Sequence, residues 1–181
     1  MRKAVFLDRD GTIAKDVSYC RRPEDFELLP GATEGIRLLN ENGYKVIIIT
    51  NQSGIGRGYF TEVVLKDIHK KMMAVLAVSG AYIDDIYYCP HLPEDDCDCR
   101  KPKPGMVIKA VREHDINIAE SYFIGDKIQD IETGQAIACR TVLISSPAEV
   151  GISPPDIFVQ PDHVASNLVQ ASRWIIERGK G

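Results

Sequence analysis

The chain has 181 residues, 44% hydrophobic and 27% charged, which excludes wholesale disorder and a collagen-like repeat. Its formal net charge of −4 argues against a surface built to grip long nucleic acid, while a small anionic ligand needs only local positive charge. The longest aliphatic run, Val46 to Ile49, is far short of a bilayer span, and Arg2-Lys3 precedes only four apolar residues before Asp8. No membrane segment or signal peptide is expected, and the expected location is cytoplasmic.

Short β-branched runs alternate with amphipathic helical patterns. Lys3 to Leu7 predicts a strand, followed by an irregular stretch to Pro30. Ala32 to Asn42 predicts a helix with Ile36, Leu38 and Leu39 inward and Gly43 just past its end. Tyr44 to Thr50 is a continuous apolar run, the pattern of a strand buried on both faces of a parallel sheet. Thr61 opens a helix to Val78, supported by the spacing of Val64, Ile68, Met72 and Leu76. Ile86 to Cys89 is the next strand, and a Pro- and Cys-rich loop runs on to Gly105.

Met106 to His114 then reads as helix, Ser121 to Ile124 as strand, and Ile128 to Ala138 as helix. Thr141 to Ile144 is a strand, Ile157 to Gln160 a weak one, and Ala165 to Arg178 the closing helix. This alternation implies an α/β fold with a mainly parallel sheet and right-handed crossovers. No repeat or composition break divides the chain, so residues 1–181 are expected to form one domain. Ligands in such folds collect at the carboxyl ends of the strands.

The polar motifs fall at those ends. Strand one runs into Asp8-Arg9-Asp10-Gly11-Thr12, where carboxylates at i and i+2 face one crevice if the chain stays extended. Two adjacent anions repel unless a cation sits between them, and a small set of oxygen ligands suits Mg²⁺. A solvated turn is the plain alternative for that motif alone. Strand two ends at Thr50-Asn51-Gln52-Ser53-Gly54, suited to donating hydrogen bonds to phosphate oxygens. A later loop offers Arg100, Lys101 and Lys103, and the strand from Ser121 ends at Gly125-Asp126-Lys127 with Asp130 beyond. Acid, hydroxyl, base and acid at successive strand ends is more than turn chemistry requires.

Three of the five cysteines crowd together, as Cys89-Pro90-His91 and Cys97-Asp98-Cys99. Four such ligands with no exchangeable position fit a closed tetrahedral Zn²⁺ site of structural type, the alternative being a loop of free thiols. Residues 90–104 hold four prolines and few apolar side chains, so they cannot build a core of their own. Structural zinc supplies on the order of 10 kcal/mol in such cases. The loop leads directly into Arg100 and Lys101. His69, His114 and His163 read as surface or helix-end residues, Cys20 and Cys139 as buried small apolar groups, and Trp174 as core packing.

Together these residues resemble the haloacid dehalogenase superfamily of phosphatases. Its four motifs correspond to Asp8-x-Asp10, Thr50, Lys101 and Gly125-Asp126-x-x-x-Asp130. The resemblance covers essentially the whole chain and implies a Rossmann-like three-layer α/β/α sandwich without a large cap domain, carrying a zinc loop at 89–105. It implies Asp8 as the nucleophile that forms an aspartyl-phosphate, and Asp10 as the acid and base. Mg²⁺ would be held by Asp8, Asp126 and the backbone carbonyl of Asp10, and Zn²⁺ by Cys89, His91, Cys97 and Cys99.

Thr50, Arg100 and Lys101 would steady the phosphoryl charge, while Asp130 would orient Lys101 or a metal-bound water. Asp16, Val17, Ser18 and Tyr19 stand where the superfamily contacts a sugar. Asn51, Gln52, Ser53, Arg100, Lys101 and Lys127 would hold substrate phosphate or hydroxyl groups, and Arg21 and Arg22 could meet a second phosphate. The expected partner is a small phosphorylated sugar, with no nucleic acid and no membrane, acting on a monomer. Ser53-Gly54-Ile55 and Lys103-Pro104-Gly105-Met106 are similar to the sugar-bisphosphate branch, while the five residues between His91 and Cys97 resemble the histidinol-phosphate branch. A non-catalytic, zinc-stapled binding module is the reading from another class, and the complete set Asp8, Asp10, Thr50, Lys101 and Asp126 argues against it.

Overall fold

The computed structural model describes residues 1–145 and 159–179. Ala4-Val5-Phe6-Leu7 forms β1 (Ala4–Leu7), buried along its whole length at the middle of the sheet. With it pair β2 (Lys45–Asn51), β3 (Asp85–Cys89), β4 (Tyr122–Gly125), β5 (Arg140–Ile144) and β6 (His163–Ala165). Among the described residues the sheet has six strands in the order β3-β2-β1-β4-β5-β6, and every pairing is parallel.

Successive strand side chains point to opposite faces, so each inner strand feeds two cores. On one face Val5, Leu7, Val46 and Ile48 meet α1 (Ala32–Glu41), α2 (Glu62–Val78) and α5 (Leu168–Arg178) through Ile36, Leu39, Ile68, Met72, Leu168 and Ile175. On the other, Ala4, Phe6, Ile47 and Ile49 meet Met106, Val107 and Ala110 of α3 (Gly105–His114). On that second face α4 (Ile128–Gln135) comes close through Gly134, which abuts Phe123 and Thr141. The result is a three-layer α/β/α sandwich. Truncating a fully buried aliphatic such as Ile47 to alanine costs about 2–5 kcal/mol in such a core.

Register delivers the site. Leu7 pairs with Ile48 on one side and Ile124 on the other, so the chain leaves β1 at Asp8 level with Gly125 at the end of β4, while β2 runs on to Asn51. The amide of Asp8 still donates to the carbonyl of Ile124 at 3.0 Å, which anchors the first residue past the strand.

The last third departs from the sequence reading. α4 ends at Gln135, not Ala138, because the chain closes on itself there. Cys139 N–H donates to the carbonyl of Gly134, and Ala138 takes a left-handed φ of 56°. Of the weak strand expected at 157–160, residues 157 and 158 lie outside the described residues, and Val159 and Gln160 are not in a strand. The sixth strand lies at His163–Ala165 instead. Asp162 holds it beside β5 by accepting from both the amide and the hydroxyl of Thr141, at 2.7 and 3.1 Å. α5 begins only at Leu168, where Asn167 caps the amide of Gln170. His163 is therefore a strand residue, stacked on Trp174 at 4.4 Å between ring centroids.

Candidate active site

Lys101 is the centre of the polar cluster. Its Nζ lies 2.7 Å from Asp8 Oδ1 and 2.6 Å from Asp130 Oδ1, and all three residues are buried. Burial pulls the lysine down, but the two carboxylates outweigh it and hold Lys101 above the ordinary lysine range. Burial pushes Asp8 up against the opposing charge of Lys101. The amide of Asn51 fixes the backbone beneath this lysine. Its Nδ2 donates to the Lys101 carbonyl and its Oδ1 accepts from the Lys101 N–H.

Asp126 stands at the end of β4, accepting from Thr12 Oγ1 at 3.2 Å. Burial, then the charge of Asp8, pushes its carboxyl up to about 6. A Cβ on Gly11 would collide with the Asp126 carboxylate, and Gly11 has a φ of 93°, so both space and backbone require glycine there. Asp8, Asp126 and Asp130 each offer an oxygen within 4.8 Å of the others. A hard divalent cation fits this set, since it is all oxygen and its crowded charge disfavours ionisation of Asp126. Asp130 already gives one oxygen to Lys101.

Asp10 does not share that cluster. Past Arg9 the chain turns, with the amides of Ile13 and Ala14 both donating to the carbonyl of Arg9 at 3.0 and 2.9 Å. Asp8 and Asp10 nonetheless line one cleft. The Asp10 carboxylate faces the guanidinium of Arg9 instead, and accepts from Gln52 Nε2 at 2.9 Å. Gln52 also donates to Thr50 Oγ1 at 2.9 Å, so one amide links the hydroxyl at the end of β2 to Asp10.

Asp8, Arg9, Asp10, Thr50, Gln52 and Lys101 line a cleft of about 200 Å³ that also receives Asp16, Val17, Ser18, Tyr19, Asn51, Ser53, Arg100 and Lys127, while Asp126 and Asp130 are not in its lining. On its rim Lys127 Nζ pairs with Asp16 Oδ2 at 2.9 Å, and this hydrogen bond holds the Asp16 carboxyl below its usual value. Burial acts to lower Lys127, but Asp16 and Asp126 keep it above its ordinary value. Tyr19 packs edge-on against Tyr59 at 4.9 Å. Arg100 reaches back to donate to the carbonyl of His91 at 3.3 Å. Arg21 lies over the ring of Tyr59 and Arg22 pairs with Asp25; neither lines the cleft.

Beside it, the Sγ atoms of Cys89, Cys97 and Cys99 are 3.1–3.5 Å apart, and His91 Nδ1 sits 3.2 Å from Cys99 Sγ. The four ligand atoms lie within 4.8 Å of one another, a soft Cys₃His set of the size a tetrahedral zinc needs. Burial opposes ionisation of Cys97, but hydrogen bonds from Cys99 and Cys89 bring its thiol down to about 7.

The sequence reading missed two side chains here. Arg9 lines the cleft yet is 1% exposed, and His69, expected at the surface, is buried against it. Arg9 is an arginine placed between two aspartates, and His69 falls one position from Ile68 on the inward stripe of α2. Those were the signals available.

A Rossmann-like sheet whose strand ends gather an aspartate, a threonine, a lysine and a second aspartate defines a phosphatase of the haloacid dehalogenase superfamily. A family model described as polynucleotide kinase 3 phosphatase matches residues 3–141. D-glycero-beta-D-manno-heptose-1,7-bisphosphate 7-phosphatase of Helicobacter pylori is 45% identical over 177 residues, covering 96% of this chain and 97% of the relative. The enzyme of that name from Pasteurella multocida is 42% identical over 153 residues, covering 81% and 83%. The crystal structure of D,D-heptose 1,7-bisphosphate phosphatase from B. bronchiseptica, complexed with magnesium and phosphate, superposes with a TM-score of 0.84 at 32% identity, over 97% of this chain and 99% of that one. The chain belongs to the polynucleotide kinase 3 phosphatase family of this superfamily and, within it, to the heptose bisphosphate phosphatases, which are phosphoric monoester hydrolases.

Proposed function

We propose that this chain removes the 7-phosphate of D-glycero-D-manno-heptose 1,7-bisphosphate through a phosphorylated Asp8, in the synthesis of nucleotide-activated heptose. The observation that carries the reading is Lys101 bridging Asp8 and Asp130 at 2.7 and 2.6 Å, at the edge of a three-carboxylate cluster. The names of the relatives supply the substrate.

Asp8, kept next to a fixed ammonium, attacks phosphorus and splits one displacement into two. Asp10 gives a proton to the departing sugar oxygen and then takes one from the water that hydrolyses the aspartyl-phosphate. Thr50 Oγ1 and Lys101 Nζ hold the phosphoryl oxygens as charge moves across them, with Arg100 beside them. Mg²⁺, held by Asp8, Asp126 and the Asp10 backbone carbonyl, would neutralise the crowded anions and polarise the phosphoryl group. Asn51, Gln52 and Ser53 border the phosphate. Asp16, Val17, Ser18 and Tyr19 border the sugar, and Lys127 meets its outer oxygens. Zinc on Cys89, His91, Cys97 and Cys99 would order the loop that carries Arg100 and Lys101.

The reading takes residues 1–181 as one phosphatase domain with its zinc loop at 89–105, a cytoplasmic monomer without nucleic-acid or membrane partners. No helix among the described residues is long and apolar enough to cross a membrane.

A second substrate, histidinol phosphate, is favoured by one feature, the five-residue gap between His91 and Cys97. Phosphate release from both compounds, with and without EDTA, decides between them. Faster, EDTA-sensitive release from the heptose bisphosphate is expected. Preference for histidinol phosphate would replace the substrate, and release from neither would overturn the reading.

A further inference from the structure

Arg9 is the largest fully buried side chain among the described residues. Its Nη2 lies 3.0 and 2.8 Å from the two carboxylate oxygens of Asp10, and its Nε 3.1 and 3.2 Å from the same pair. The remaining nitrogen, Nη1, lies 3.2 Å from Nε2 of His69. Arginine carries only donors, so the imidazole accepts at Nε2 and bears its own proton on Nδ1. Burial, then the charge of Arg9, lowers His69 to about 3, which keeps the ring neutral and able to accept. His69 sits on α2 beside Ile68 and Met72, both fully buried, so the acceptor belongs to a rigid element.

An arginine side chain has several rotatable bonds, and a guanidinium fixes a carboxylate only if it is itself fixed. We propose that His69 is a positioning residue for proton transfer. By accepting from Arg9 it holds the guanidinium that orients the Asp10 carboxylate, while Gln52 grips the same carboxylate from β2. The inference rests on the reading of Asp10 as the group that protonates the leaving oxygen.

That dependence supplies the test. A sugar oxygen needs a proton to leave, whereas the nitrophenolate of p-nitrophenyl phosphate departs without one. kcat/KM for heptose 1,7-bisphosphate and for p-nitrophenyl phosphate reports the leaving-group step for each. Their ratio, taken on one preparation, cancels any loss of folded protein.

His69→Leu removes the acceptor and should lower kcat/KM for the sugar phosphate about tenfold more than for the aryl phosphate. His69→Gln keeps an acceptor and should return most of the ratio. Asp10→Asn should show the same selectivity, more strongly. Equal losses on both substrates in His69→Leu, or no recovery in His69→Gln, with Asp10→Asn selective, would overturn the role of His69 alone. An unselective Asp10→Asn would overturn the reading of Asp10 and this inference with it.

Discussion

The side-chain amide of Asn51 brackets the backbone of Lys101, with Nδ2 3.2 Å from the Lys101 carbonyl oxygen and Oδ1 3.1 Å from its amide nitrogen. This clamp joins the end of β2 to the loop that follows the Cys/His cluster, so the ammonium beside Asp8 is aimed from two directions. Asn51→Ala removes both bonds without touching the charges. A small misplacement of a reacting group costs up to about a hundredfold in rate, so kcat should fall about tenfold to a hundredfold. Zinc content should stay unchanged. Unaltered kcat would show that the Cys/His loop alone sets Lys101.

Lys101 compensates two buried carboxylates at once. Removing one partner of a buried ion pair typically destabilises by about 3–5 kcal/mol, because the other charge stays buried and unpaired. Lys101→Met should therefore unfold at lower urea as well as lose turnover. Adding Asp130→Asn to it should restore part of the stability and none of the activity. Urea melts of the single and double variants check this; equal midpoints would contradict it.

His69 gives a signed pH dependence. Burial and Arg9 lower it from 6.5 to about 3 in the folded chain. A depressed imidazole adds stability that is fully present above about pH 6.5 and is lost as pH falls toward 3, since the unfolded chain takes up a proton the folded one refuses. Against His69→Gln, the wild type should lose about 1.4 kcal/mol per pH unit below about pH 6. Paired melts at pH 7 and pH 5 measure the change, and parallel losses in the two proteins would contradict it.

In the proposed reading, zinc on the Cys/His cluster is joined to the chemistry through chain connectivity. Cys99 is two residues from Lys101, and the amide of Gly105 donates back to the carbonyl of Asp98 at 3.2 Å, closing the turn. Cys97→Ser should abolish zinc in elemental analysis, lower the melting temperature and reduce kcat together. Full activity in the zinc-free variant would separate the loop from the site.

Much of this was legible from the chain. The unbroken run from Val46 to Ile49 has the pattern of a strand covered on both faces, and parallel neighbours then place Asp8, Thr50 and Asp126 at one edge. What escaped depends on contacts distant in sequence. β6 is three residues long with Val164 41% exposed, and it is held by a bond between Asp162 and Thr141 that no local pattern announces. The Asp10 carboxylate is held by Arg9 and by Gln52, the latter 42 residues away, and no local pattern announces that second partner. Gln52 was a candidate from its motif, and its bond to Thr50 was within reach, since a period of two puts both on one side.

The central claim is that phosphorus becomes bonded to Asp8. Borohydride added during turnover reduces an aspartyl-phosphate to homoserine, and peptide mass spectrometry then locates it. The account predicts homoserine at position 8 with substrate present and none in Asp8→Asn. Steady phosphate release with position 8 left as unmodified aspartate would contradict it.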